Sequence, residues 1–128
     1  KTVFVTGASS GIGRATALAF TQEGARLLLC ARRLERLEEF KKMLIDAGAP
    51  AVHAFALDVQ DRSAVEAAIA GLPPEWKDID VLVNNAGLSR GFTKLQEDDP
   101  QNWEEMIDTN VKGLLYVTRA VVPVMVAR

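Results

Sequence analysis

Cysteine is almost missing from this chain. Cys30 is the single thiol in 128 residues, so no internal disulfide can form and a reducing, cytoplasmic setting is the expectation. One histidine, His53, and no ligand spacing of Cys, His, Asp or Glu leave no recognisable metal motif. An excess of one charge is also missing: 15 Lys and Arg against 17 Asp and Glu leave a net charge of -2. That balance offers no electrostatic footprint for nucleic acid or an anionic membrane. No apolar run is long enough to span a bilayer, and no signal peptide is expected. The chain starts at Lys1 without an initiator Met, which leads us to expect processing or trimming. Internal repeats, low-complexity stretches and linkers are absent as well, so residues 1–128 are expected to form a single domain around one core.

What is present alternates. Four short apolar runs read as strands: Thr2 to Thr6, Arg26 to Cys30, Ala51 to Leu57 and Ile79 to Val83. Three of them are nearly continuous in Val, Leu, Ile and Phe, as in strands buried on both faces of a parallel sheet. Helical stretches lie between them, from about Gly11 to Glu23, from about Leu34 to Ala47, and from near Asp61 to before Pro73. Gly24 and Gly48 stand where the first two should stop. This order predicts an α/β, Rossmann-type doubly wound parallel sheet with strand order 3-2-1-4. A helical pattern then runs from about Gln101 to the end, read as two helices with a break near Thr109-Asn110. The last helix is apolar nearly all round, through Val111, Leu114, Leu115, Val117, Val121, Val122, Met125 and Val126. Such a helix is expected to be buried, either wholly within its own domain or partly in a subunit interface. Pro123 should kink or weaken it.

The segment Thr6-Gly7-Ala8-Ser9-Ser10-Gly11-Ile12-Gly13 follows the first strand at once and opens the first helix. A pyrophosphate needs unpaired backbone N–H groups, and a helix N-terminus presents them with a favourable dipole. Gly7 permits the tight turn, Gly11 lets the backbone approach the phosphates, and Gly13 allows close packing of helix on strand. Ser9 and Ser10 add hydroxyls to the cradle, and Ile12 belongs to the same turn. A ligand-free glycine turn is the plain alternative, but the strand before and the helix after favour dinucleotide binding. A P-loop is excluded, because no Gly-Lys-Ser/Thr follows.

After the second strand an NAD site normally carries a carboxylate for the ribose 2′-OH. Here Cys30-Ala31-Arg32-Arg33 stands in its place. A carboxylate would repel a 2′-phosphate, whereas a guanidinium grips one with two parallel charged hydrogen bonds. Arg32, assisted by Arg33, is therefore read as the selector for NADP, the alternative being two solvated arginines at the start of a helix. Asp58-Val59 closes the third strand on the ligand side of the sheet. There the carboxylate can accept from an adenine amino group and the next N–H can donate to the ring; an ordinary strand-ending aspartate is the other reading. Asn84-Asn85-Ala86-Gly87 follows the fourth strand at the same edge, either as a loop that meets a ribose or as a plain turn.

Together these residues resemble the short-chain dehydrogenase/reductase family. Thr6-Gly7 through Gly11-Ile12-Gly13 is similar to its cofactor motif, Asn84 to Gly87 to its Asn-Asn-Ala-Gly motif, and Asp58-Val59 to its adenine-contacting pair. Asn110 falls where the family keeps the Asn of an Asn-Ser-Tyr-Lys tetrad. Leu72-Pro73-Pro74-Glu75-Trp76, Ile79 to Leu88, and Asn102-Trp103 continuing through Met106 to Asn110 resemble the branch of NADP-dependent 3-hydroxy acid dehydrogenases. The resemblance implies hydride transfer between NADP(H) and a small 3-hydroxy acid, and a homotetramer packed through the last helix.

The chain also departs from the family pattern. Its only tyrosine, Tyr116, is followed four positions on by Ala120, and no serine follows Ser89. The family's Tyr-x-x-x-Lys and substrate-polarising Ser are therefore absent from these residues. The expectation is that they form the N-terminal, cofactor-binding part of a longer family domain, inactive alone, with Asn110 in a supporting role. A non-catalytic nucleotide-binding or scaffold protein ending at Arg128 is the competing reading. A strand buried on both faces yet placed at the sheet edge, as Ile79 to Val83 would be, also predicts a following strand to cover it. His53 and Cys30 are read as structural.

Overall fold

The computed structural model describes residues 1–9, 11–87 and 95–127. Four parallel strands, β1 (Thr2–Thr6), β2 (Arg26–Ala31), β3 (Val52–Ala56) and β4 (Val81–Val83), form one sheet in the order β3-β2-β1-β4. This is the topology expected from the alternation of strands and helices. Between the strands run α1 (Gly11–Gln22), α2 (Leu34–Asp46) and α3 (Arg62–Ala70), followed after the sheet by α4 (Pro100–Ile107) and α5 (Leu114–Val126).

Why the sheet is covered on both sides follows from the twofold alternation of strand side chains. Val3, Val5, Leu27 and Leu29 point to one face and meet Leu37, Phe40 and Leu44 of α2 together with Ala17 of α1. Phe4, Leu28 and Cys30 point to the other, against Val65 of α3 and Val117 and Val121 of α5. Each fully buried Leu or Phe in these layers contributes about 1.5–3 kcal/mol relative to exposure. Helix starts and stops follow local chemistry. The Asp61 carboxylate accepts from the Ala64 N–H (3.1 Å) and caps α3, and Asp99 caps α4 through the Gln101 N–H (2.9 Å).

Two expectations need correction. The strand expected from Ile79 to Val83 is only Val81–Val83, and all three residues are half-buried. β4 pairs with β1 alone among the described residues and is an edge strand, with Val81 and Val83 packed on one core layer and Leu82 on the other. Near Thr109-Asn110 the helix does not break. Asp108–Gly113 is a π-helical turn that joins α4 to α5 with helical backbone on both sides. Its wider winding absorbs the register change that read as a break in the apolar pattern. Among the described residues the last helix buries Val117 and Val121 and leaves Val111, Leu114, Leu115, Val124 and Val126 exposed, which leaves open the expected cover by further domain or by a second subunit. Helix α5 also continues past Pro123 to Val126, since only one turn follows the missing N–H.

His53 sits in β3 between Phe55 and Trp76, its ring stacked on the indole with centroids 5.7 Å apart. Burial, helped by the charge of Lys41, lowers its pKa against the opposing pull of Glu75 and Glu38. Cys30 is fully enclosed, and burial pushes its thiol pKa up to about 12, so it stays protonated at neutral pH. Both are structural residues by position, as the sequence reading has them.

Candidate functional site

The carboxyl ends of β1, β2 and β3 open onto a cavity of about 380 Å³. Its walls come from five segments: Gly7, Ser9 and Ile12 after β1; Cys30 and Ala31 at the end of β2 with Arg32, Arg33 and Arg36 after it; Leu57, Asp58 and Val59 after β3; Asn85, Ala86 and Gly87 after β4; and Thr109 from the turn between α4 and α5. Chain segments remote in sequence thus converge where a doubly wound sheet places ligands.

The loops that line the cavity are fastened by one hydroxyl and one amide. Thr6, 1% exposed, accepts at Oγ1 from the Asn85 N–H and the Ala86 N–H, both at 2.9 Å. The Asn85 side chain donates through Nδ2 to the Gly7 carbonyl (3.1 Å), and the Ala8 N–H reaches the Cys30 carbonyl (3.2 Å). These bonds lock the loop after β4 onto the loop after β1. Asn84 is not drawn into the cavity: its Nδ2 donates to Thr118 Oγ1 (3.0 Å) and ties the same loop to α5.

Backbone geometry and close approach account for the glycines of the first loop. Gly7 and Gly11 have φ of 62° and 58°, a left-handed backbone that costs other residues about 1–2 kcal/mol. A Cβ on Gly7 would come within 2.8 Å of Ala86 Cα, and one on Gly13 would collide with the Gly7 carbonyl oxygen. A Cβ on Gly11 would meet nothing within 4 Å, so this turn faces open space. Helix α1 carries no acidic residue in its first turn, leaving its positive dipole end uncontested. Ile12, 76% exposed, flanks the cavity mouth. Ser10 lies outside the described residues.

Electrostatics divide the cavity. Arg32, Arg33 and Arg36 are exposed along one lip, and the only carboxylate lining it among the described residues is that of Asp58. Its Oδ2 lies 4.0 Å from Arg32 Nε, and its Oδ1 accepts from the Gln60 N–H at 3.0 Å. Arg33 is the N-cap of α2 without a side-chain cap bond. Arg36 was missed in the sequence, although it follows Arg33 by three positions and so shares its helix face.

Thr109 was missed too. It also lines the cavity, is 7% exposed, and its Oγ1 has no hydrogen-bond partner among the described residues. Two helical threonines bond back one turn, Thr21 to the Ala17 carbonyl (3.0 Å) and Thr118 to the Leu114 carbonyl (2.7 Å). Thr109 stands in the π turn, where that geometry is lost, and no sequence signal marks this. Asn110, its neighbour, stands near the end of the loop after β4: a Cβ on Gly87 would lie 3.5 Å from Asn110 Oδ1. Among the described residues no group of His, Cys, Asp and Glu is arranged to hold a metal ion, and no helix is long and apolar enough to cross a membrane.

A family model described as short chain dehydrogenase matches residues 1–128. The chain is 47% identical over 126 residues to the NADP-dependent 3-hydroxy acid dehydrogenase YdfG of Escherichia coli K12, covering 98% of this chain and 49% of that protein. It is 48% identical over 124 residues to a sulfoacetaldehyde reductase of Chromohalobacter salexigens, covering 97% and 48% respectively. The closed form of a serine dehydrogenase complexed with NADP+ superimposes with a TM-score of 0.91 at 46% identity, over 100% of this chain and 50% of that one. The chain thus spans about half the length of the curated relatives it matches.

Proposed function

Because the chain belongs to the short chain dehydrogenase family, we propose that it is the NADP(H)-binding part of an oxidoreductase acting on a small 3-hydroxy acid. One observation carries the cofactor assignment: the lip at the end of β2 holds Arg32, Arg33 and Arg36 where an NAD site would present a carboxylate. The relatives point the same way, one being named NADP-dependent and another solved with NADP+. Their different substrate names leave the 3-hydroxy acid as the reading closest to the sequence resemblance.

The residues present fit such a ligand. A turn with φ positive at Gly7 and Gly11, open above Gly11 and at the head of α1, suits a pyrophosphate seated on backbone amides, with Ser9 and Ser10 as hydroxyl donors. Gly13 holds helix and loop together behind it. Arg32, with Arg33, holds the 2′-phosphate. Asp58 and the Val59 N–H hold the adenine, and Asn85, Ala86 and Gly87 border the ribose while Asn84 braces their loop from α5. The bound dinucleotide supplies or accepts the hydride; the chain binds and orients it and walls off one side from water.

Proton transfer needs a separate group, since general acid/base help contributes about 10²- to 10⁴-fold. Tyr116 does not supply it: the ring packs among the core residues under α5. We place the Ser and the Tyr-x-x-x-Lys in sequence beyond these 128 residues, with Asn110 supporting them, and expect this part alone to be inactive. A further strand from that sequence would cover β4.

Titrating the complete protein with NADPH and NADH tests the assignment. NADPH is expected to bind about tenfold or more tighter, because a charge-assisted phosphate contact is worth about 1.5–3 kcal/mol. Tighter binding of NADH would reject it. The exposed side of α5 that carries Leu115 and Val126 is the surface we assign to contact between copies in a homotetramer. Light scattering of the complete protein should give four times the protomer mass; a monomer would remove the assignment.

A further inference from the structure

The cationic lip contains its own opposing charge, and the placement of that charge is informative. Asp58 is pinned by its backbone surroundings. Its Oδ1 accepts from the Gln60 N–H at 3.0 Å, and its carbonyl accepts from the Asp61 N–H at 3.1 Å at the entry to α3. The oxygen left over, Oδ2, faces the Nε edge of Arg32 at 4.0 Å.

A guanidinium has two usable edges, and a carboxylate on the Nε side leaves the pair of Nη groups to grip a planar or tetrahedral anion bidentately. An arginine on a mobile stem must otherwise lose its rotamer freedom when the anion arrives. Both side chains are about half exposed, 59% for Arg32 and 45% for Asp58, so the pair adds little to folding stability. Its value would lie in orientation.

We propose that Asp58 is a positioning residue for NADP selectivity, steering the Nη edge of Arg32 toward the 2′-phosphate from the Nε side. This rests on the NADP(H) assignment made above and is additional to the adenine contact given to the same residue. The carboxylate also repels a phosphate, but Arg33 and Arg36 on the same lip leave it cationic, and the 4.0 Å approach spends the negative charge on Arg32.

The two roles of Asp58 separate in one experiment. Asp58→Asn keeps an oxygen that accepts from the Gln60 N–H, so the turn into α3 survives, but it removes the charge facing Arg32. A lost adenine contact weakens NADPH and NADH equally, since both carry adenine; a lost orientation weakens only NADPH. Dissociation constants of both nucleotides are measured for the wild-type complete protein, Asp58→Asn, Arg32→Gln and the double variant. Asp58→Asn is expected to weaken NADPH about three- to tenfold more than NADH, and this excess should vanish in the Arg32→Gln background. Equal losses for both nucleotides, tighter NADPH binding, or an excess that persists without Arg32 would overturn the positioning role while leaving the NADP reading intact. A wild-type protein that prefers NADH would remove that reading and this inference with it.

Discussion

Gly13→Ala is expected to destabilise the folded protein by about 3 kcal/mol, the upper end of what overpacking costs. An added methyl would overlap the Gly7 carbonyl oxygen and lie 2.5 Å from Asn85 Nδ2. Neither neighbour can yield cheaply. The carbonyl is backbone, and the Asn85 amide already holds it at 3.1 Å, in a loop locked by the two N–H bonds to Thr6 Oγ1. Relief therefore requires moving α1 away from β1 or separating the loops after β1 and β4. Gly11→Ala is the control. It keeps an unfavourable φ of 58° but meets open space, so it should cost only about 1–2 kcal/mol. Denaturant midpoints of the two variants, converted with a shared slope, make the comparison. Equal losses would show that backbone strain, and not close packing of helix on loop, is what glycine answers at both places.

Arg32→Gln is expected to weaken NADPH about 10- to 100-fold and to leave NADH within about twofold. Removing one side of a charge-assisted pair costs about 1.5–3 kcal/mol, and each 1.4 kcal/mol is about tenfold in affinity. Arg32 is exposed, and its partner among the described residues is Asp58, also half exposed, at 4.0 Å, so its loss leaves no buried group unpaired there and should not unfold the protein. The thermal midpoint should accordingly stay put while selectivity falls. Raising the salt concentration should erode the wild-type preference for NADPH and leave the variant nearly unchanged. A variant that loses NADPH and NADH alike would assign Arg32 to something both nucleotides share and withdraw it from the 2′ position.

The glycine loop was legible because its chemistry is local: a strand, a turn and a helix head adjacent in the chain, with glycines where backbone must bend or approach. Arg32 and Asp58 were legible individually, as a cation and an anion at the ends of β2 and β3, but their facing each other was not. They are separated by 26 positions, and only the parallel pairing of Cys30 with Phe55 and Ala31 with Ala56 brings those strand ends together. Thr6 was read as a loop boundary, whereas its hydroxyl turned out to fasten two loops 79 positions apart. Asn84 and Asn85 were assigned alike; their opposite strand parity sends one side chain to α5 and the other to Gly7.

Residue order alone dictated the alternating elements, the parallel sheet and the anion-binding turn, because periodicity, turn chemistry and helix-end electrostatics act over a few neighbouring residues. The shortening of β4 to Val81–Val83, the π turn that strands the Thr109 hydroxyl, the half-buried state of α5 and the meeting of Arg32 with Asp58 were decided in three dimensions. Each depends on which distant surface arrives to pack or to pair. No local pattern encodes that arrival, and it is settled only when both faces of the sheet have been covered.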